Sequence, residues 1–367
     1  MTSPLRLPIL VAFILISITH QAQLKPGFDK AELLTMLTLS SYQLDTPWVD
    51  MKYELPENLQ LIYRSPVVAL DNRFDVWHNP SDAYVIINTR GTTGTRPSWL
   101  ENFHAAMVPA TGSIQLSDSV NFDYSLADNP RAAVHVGWLI AMGTMAPDVV
   151  SQIKSSYKNG IKDIYLTGHS QGGGITFLLT AYLYQLQKAG LLPKDIRFKT
   201  YCTAGPKPGN LYFSYDYEYA TRGGWAYNVT NSIDWVPEVP FSIQTVDDFN
   251  KLNPFTDVDQ AFKKMKFPIR FVLKRVYNNL SKHPEKAKNN FQKYLGDKAA
   301  EIIIKQDLPG YEQPKYYNSN HYMRCGNQII LMPTDEYYQS HPDDPKNVFS
   351  HHMPAPYLFL AKRMEGY

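Results

Sequence analysis

The stretch Gly168-His169-Ser170-Gln171-Gly172 sets a serine between two glycines, directly after the apolar run Ile164-Tyr165-Leu166. Composition alone produces Gly-x-Ser-x-Gly in roughly one chain in eight of this length, so the pattern needs context. A strand on one side and a helix on the other supply it. At such a bend a serine takes a strained backbone conformation and stands clear of the sheet, and neighbours larger than glycine would strike backbone. The helix that follows turns unpaired N–H groups and its positive dipole end toward the hydroxyl, which suits a developing negative oxygen. The same residues also suit a glycine-rich turn without chemistry.

A serine hydroxyl is a weak nucleophile without a base, an acid that orients the base, and oxyanion donors. In the order serine, acid, histidine the partners lie downstream. Asp234, in "NVTNSIDWVPEVP", follows an apolar run and precedes a proline-punctuated loop, a better position than Asp216, Asp247, Asp257, Asp335 or Asp343. "SHHMPAPYLFL" offers His351 and His352 as bases just ahead of a short helix. The pair could also ligate a metal, but no metal-site spacing such as His-Glu-x-x-His accompanies it, and no metal or cofactor is expected. Upstream, "VIINTRGTTG" leaves a buried strand at Gly91-Thr92, where a backbone N–H and a hydroxyl could face the serine. The N–H of Gln171 would be the second donor.

These residues need a sheet to hold them. Asp29 and Glu32 have capping-box spacing for a helix over 30 to 41. "PVVALDNRFDVWH" predicts two strands around an Asp71-Asn72 turn, and "AYVIIN" a buried strand. Residues 134 to 157 read as a helix interrupted at Pro147, "DIYLTG" as a strand, and Ile175 to Gln187 as a long apolar helix. "FKTYCTAG" and "AYNVTN" are further strands. Alternation of this kind predicts an α/β fold, a mostly parallel sheet with helices on both faces. Residues 241 to 320, rich in Lys, Asn, Tyr and Phe, carry helix-like pieces at 257 to 266 and 284 to 304. They are expected to be a largely helical insertion in a single domain over 24 to 367, which "NQIILM" and "PYLFLAKRM" complete.

Of the 367 residues 44% are apolar and 19% charged, with a formal charge of +2. This composition supports a sizeable core, and no Lys/Arg block suggests a nucleic-acid partner. Arg6, the apolar run Leu7 to Ile18 and the polar stretch Thr19 to Gln23 have the layout of a secretory signal peptide over about 1 to 23. The apolar run is too short to span a bilayer, so export and a mature chain without a transmembrane segment are expected. Cys202 and Cys325 could form one disulfide in an exported chain but exclude a disulfide-rich scaffold; both sit in strand-like runs that suit buried free thiols.

Together the motifs resemble the class 3 lipases, the group that includes the fungal triacylglycerol lipases. "TRGTTGTRPSWL", "VHVGW", "LTGHSQGG", "AGPKPGN", "IDWVPEVP" and "HHMPAPY" occur in the family's order, over roughly residues 60 to 240 and the last fifty or so. The resemblance implies an α/β-hydrolase fold and a secreted, cofactor-free hydrolase of lipid esters at a lipid–water interface. It makes Ser170 the nucleophile, Asp234 the orienting acid and Thr92 and Gln171 the oxyanion hole. It favours His352 over His351, because family members often place a Tyr five residues after the base, as Tyr357 is here. Trp99, Leu100, Phe103, Met107 and Val108 lie where the family often carries a lid, and Trp99 and Phe103 become candidate substrate contacts. Two departures stand out: Gln171 replaces the usual Leu, and the segment between Asp234 and His352 is long. Phospholipase, short-chain esterase and acyltransferase share this machinery, and a non-catalytic lipid- or glycan-binding module could keep the fold. Oligomeric state leaves no mark in the sequence.

Overall fold

In the computed structural model, which describes residues 24–43, 54–81, 83–255 and 258–366, the chain starts with α1 (Lys30–Ser41). The expected signal peptide lies outside the described residues. Next come β1 (Gln60–Arg64), β2 (Phe74–Asn79), β3 (Tyr84–Thr89) and α2 (Arg96–Phe103). A short strand β4 (Met107–Pro109), the hairpin β5 (Thr111–Ser117) and β6 (Val120–Ser125), and β7 (Ala133–His135) lead into α3 (Val136–Lys158). Alternating units follow: β8 (Asp163–His169), α4 (Gln171–Lys188), β9 (Arg197–Thr203), β10 (Gly209–Asn210), α5 (Leu211–Ala220) and β11 (Ala226–Asn231). Beyond β11 come α6 (Val258–Lys263), α7 (Ile269–Gln292), a π-helical turn (Lys293–Lys298) and α8 (Ala299–Gln306). The chain closes with β12 (Tyr322–Met323), β13 (Asn327–Leu331), α9 (Asp335–Ser340) and α10 (Pro354–Arg363).

The main sheet has the order β1-β2-β3-β8-β9-β11-β13. From β3 to β13 neighbouring strands are parallel, while β2 is antiparallel to both β1 and β3. Both faces are covered. Val85, Ile87, Ile164 and Leu166 point into a core shared with α3 and α4, and the alternate residues Ile86 and Tyr165 into a second core with α1 and α10. Burial on two faces is why these strands read as unbroken apolar runs. This is the α/β-hydrolase architecture. No helix among the described residues is long and apolar enough to cross a membrane.

Several local expectations are corrected. Only one strand, β2, forms in "PVVALDNRFDVWH"; the residues before it make a tight turn closed by a Val68–Asn72 bridge, with Leu70 and Asp71 at φ 55° and 71°. The true partner of β2 is β1, an exposed edge strand without apolar alternation. Pro147 does not interrupt α3. The proline removes one backbone donor, but buried Met142, Met145, Ala146 and Val149 around it hold the helix in place. In the insertion, α7 begins at Ile269 and runs through Pro284, well upstream of the helix expected at 284. The capping box is half formed: Asp29 accepts from Glu32 N, whereas the Glu32 carboxylate takes the Tyr165 and Tyr201 hydroxyls and Lys199 Nζ. Cys202 and Cys325 are free and buried, and burial pushes both thiols up.

Candidate active site

Ser170 links β8 to α4 at φ 60° and ψ −131°, a conformation that is costly for a residue with a Cβ. The bend depends on close backbone approach. A Cβ on Gly172 would lie 2.3 Å from Thr89 O, at the end of β3, and one on Gly91 would lie 2.8 Å from His169 O. These two glycines press the loop after β3 against the start of α4. At that start the first N–H groups, including that of Gln171, have no acceptor within the helix.

Fold closure brings together three residues far apart in the chain. His352 Nε2 lies 2.8 Å from Ser170 Oγ, and His352 Nδ1 lies 2.7 Å from Asp234 Oδ2. Asp234 follows β11, on the turn where its Oδ1 accepts from Val236 N, and Tyr357 of α10 donates to its Oδ2 at 2.7 Å. A carboxylate only accepts, so His352 carries its proton on Nδ1 and offers Nε2 to the serine. His169 donates from Nε2 to the His352 carbonyl at 2.7 Å and accepts from Thr203 Oγ1 on Nδ1. Burial pulls the His169 pKa down to about 3, so it stays neutral and keeps that tautomer. His351 turns away, to Tyr337 Oη and Asp343 Oδ1.

The loop Gly91–Thr95 is pinned from below. Asp71 accepts from Arg90, Thr93 and Thr95. Burial works to raise its carboxyl, but the Thr93 and Thr95 hydroxyls and the Arg90 charge outweigh it and hold the group below the usual aspartate range. Thr92 Oγ1 accepts from Asn102 Nδ2 at 3.0 Å, which leaves its own proton to point elsewhere. Asn102 is fixed in turn by the Trp138 indole, 3.0 Å from its Oδ1, and Trp138 stacks on His135, the cap of α3. "VHVGW" thereby acquires a role that spacing did not reveal. Gln171 reaches buried Glu101, which also accepts from Asn72. Burial drives the Glu101 carboxyl well above its usual range against the pull of those two amides.

Two apolar cavities meet at the serine. One, of about 160 Å³, includes Gly91, Gly94, His352 and Met353; the other, of about 270 Å³, includes Phe103, Trp138, Val239, Phe241, Phe291 and Leu295. Thr92, Trp99, Ser170 and Phe349 border both. Trp99 and Phe349 face each other at 6.0 Å between ring centres, and the Trp235 indole holds that loop through Val348 O. The expected lid segment divides. Trp99 and Phe103 on α2 remain exposed at the cavities, while Met107 and Val108 are fully buried core residues. The insertion builds part of the larger cavity. In its π-helical turn the Leu295 carbonyl accepts from Ala105 N and Ala106 N, so Leu295 sits in the cavity wall.

The family model described as lipase (class 3) matches residues 86–244. Over residues 86–244 the chain is similar to the class 3 lipases. The class 3 lipase segment contains Thr92, Ser170, Gln171 and Asp234 and ends before most of the insertion and before His352. No curated protein matches the chain. Similar solved structures include a fungal lipase–inhibitor complex, 21% identical, covering 59% of this chain and 77% of that one, with a TM-score of 0.45. A Rhizomucor miehei lipase–propeptide complex is 22% identical, covering 59% and 65%, with a TM-score of 0.42. Lipase II from Rhizopus niveus is 23% identical, covering 57% and 74%, with a TM-score of 0.41.

Sequence reasoning did not single out Asp71, Glu101, Asn102, His169 or Tyr357 as parts of the site. His169 and Tyr357 sit inside quoted motifs, which was the available signal. Nothing local marks Asn102 or Glu101, because their partners lie 10 to 70 residues away.

Proposed function

We propose that this chain is an exported hydrolase of lipid esters, with Ser170 as nucleophile, His352 as base and Asp234 as orienting acid. The observation that carries this reading is the unbroken hydrogen-bond line from Asp234 through His352 to Ser170 beside an apolar cavity. The class 3 lipase segment supports the substrate class. Export rests on the layout of residues 1 to 23, and the chain is taken as one domain with an insertion at 241–320.

Ser170 Oγ attacks the ester carbonyl as His352 Nε2 takes its proton, and the carbonyl pair moves to the oxygen. Asp234 stabilises the imidazolium. The Thr92 hydroxyl and the Gln171 N–H bind the oxyanion, each donor contributing about 10²–10³ in rate. Collapse breaks the bond to the alcohol, which leaves with the proton from His352. Water, deprotonated by His352, then releases the acid and restores Ser170. No step calls for a cofactor.

Hydrolysis of p-nitrophenyl esters from acetyl to palmitoyl by the wild type and by Ser170→Ala tests the assignment. The variant should lose on the order of 10⁴ or more in kcat. Equal rates for the two proteins would make Ser170 a structural turn and return the chain to the binding-module class. The preferred chain length separates lipase from short-chain esterase.

A further inference from the structure

The insertion contains a surface that the hydrolytic site does not use. The stretch "FKKMKFPIRFVLKRVYNNLSK", residues 262 to 282, holds seven Lys or Arg and no acid, in a chain whose overall charge is only +2. Every residue from Lys263 to Val276 is exposed, including Phe267 at 83%, and Leu280 further along is 70% exposed. The buried residues of α7, Lys288 and Phe291, lie near its C-terminal end, so the N-terminal half of the helix extends away from the core.

Helical geometry sorts this half cleanly. At 100° per residue Ile269, Val272, Leu273, Val276 and Leu280 fall within an arc of about 100°. Arg270, Arg275, Lys282 and Lys286 fall on the remaining face, with Phe271 and Tyr277 as the aromatic exceptions. In the linear sequence the bases alternate with apolar residues and form no block; the helix separates them. Phe262 and Phe255 pack on Tyr277 and brace the arm near its middle.

We propose that α7, with the loop before it, docks the enzyme on an anionic lipid surface. An exposed apolar stripe flanked by bases is the physical signature of a helix that lies in a bilayer interface, where apolar burial and attraction to anionic headgroups act together. Charge complementarity selects the occupant. A second copy would bring two basic flanks against each other, whereas a bilayer rich in anionic lipid neutralises them. Phe291, near the C-terminal end of the same helix, lies in the wall of the larger cavity, about 33 Å along the axis from Ile269, so one element joins the docked surface to the site. The proposal goes beyond the ester-hydrolase reading and can be tested without turnover.

The test is flotation of the full-length Ser170→Ala protein with phosphatidylcholine vesicles, with and without 30% phosphatidylglycerol. Two further variants carry Arg270→Glu with Arg275→Glu, or Leu273→Asp with Leu280→Asp. All share one N-terminus, so differences report on the arm, and circular dichroism melts verify that these surface changes leave the fold intact. Each basic residue near an anionic surface is worth roughly fivefold in partitioning. The charge reversal should therefore weaken binding to the anionic vesicles by on the order of 25-fold or more, and added salt should do likewise. Loss of binding in the aspartate variant is also expected. Equal binding to neutral and anionic vesicles, no binding to either, or binding unchanged by both variants overturns the proposal. A dimer in sedimentation that the Leu273→Asp, Leu280→Asp variant dissociates overturns it in favour of a second copy.

Discussion

The Gln171 side-chain amide donates to the buried Glu101 carboxyl and ties the first residue of α4 to α2, which follows the Gly91–Thr95 loop. Gln171 Oε1 also accepts from Ser98 Oγ, and that hydroxyl accepts from Thr93 N within the loop. The side chain that departs from the family's leucine thus joins the Ser170 turn to the Gly91–Thr95 loop through buried polar contacts. Gln171→Leu keeps the backbone N–H but leaves Glu101 Oε1 without its amide partner, with only the Asn72 bond to Oε2 remaining, and an unmatched buried polar atom costs about 1–3 kcal/mol. The variant should melt earlier and lose roughly tenfold in kcat. In a double-mutant cycle with Glu101→Leu part of the stability should return, and strict additivity would show that the two side chains do not act as a pair.

Thr92 and Asn102 should behave as donor and positioner. Thr92→Val removes the hydroxyl and is expected to lower kcat by about 10²–10³ with little change in KM. Asn102→Ala frees that hydroxyl to rotate and should cost less, about tenfold. Because Asn102 acts through Thr92, the double variant should be no slower than Thr92→Val; a further fall in kcat would give Asn102 a separate role.

Burial pulls His104 and His169 down to about 3 and His135 well below the usual range. Unfolding lets each take a proton near pH 6.5, so the unfolded state binds more protons below that pH. The stability they confer is complete above about 6.5 and is lost as pH falls toward 3, by about 1.4 kcal/mol per pH unit for each. Glu101, an acid pushed up by burial, has the opposite sign and costs stability as pH rises above its ordinary value. The slope of unfolding free energy between pH 5 and 6 measures proton uptake. Replacing His104, which bonds Tyr311 Oη, by Gln should reduce that uptake by about one proton. An unchanged slope would remove His104 from this account.

Leu295 and Phe291 bring the insertion into the larger cavity. Leu295→Trp should shorten the preferred acyl chain by several carbons, and Phe291→Ala should lengthen it. If the ester profile stays fixed in both, the acyl chain does not enter this cavity, and the smaller one beside Met353 becomes its place.

Much of this protein is written locally. Apolar strands and amphipathic helices announce an α/β sheet because side-chain period follows backbone geometry, and the Gly168–Gly172 bend follows from what a serine between strand and helix requires. Motif order also pointed to Asp234 and His352, and the fold brings His352 within hydrogen-bond distance of both Asp234 and Ser170. Motif spacing already favoured His352 over His351, and the tertiary structure turns the His352 ring toward Ser170 and the His351 ring toward Tyr337. Tertiary structure decided that Pro147 remains within a helix, that Met107 is core while Trp99 is not, and that the insertion forms both a cavity wall and an exposed arm. These outcomes rest on contacts between residues remote in the chain, whose energies no local pattern encodes.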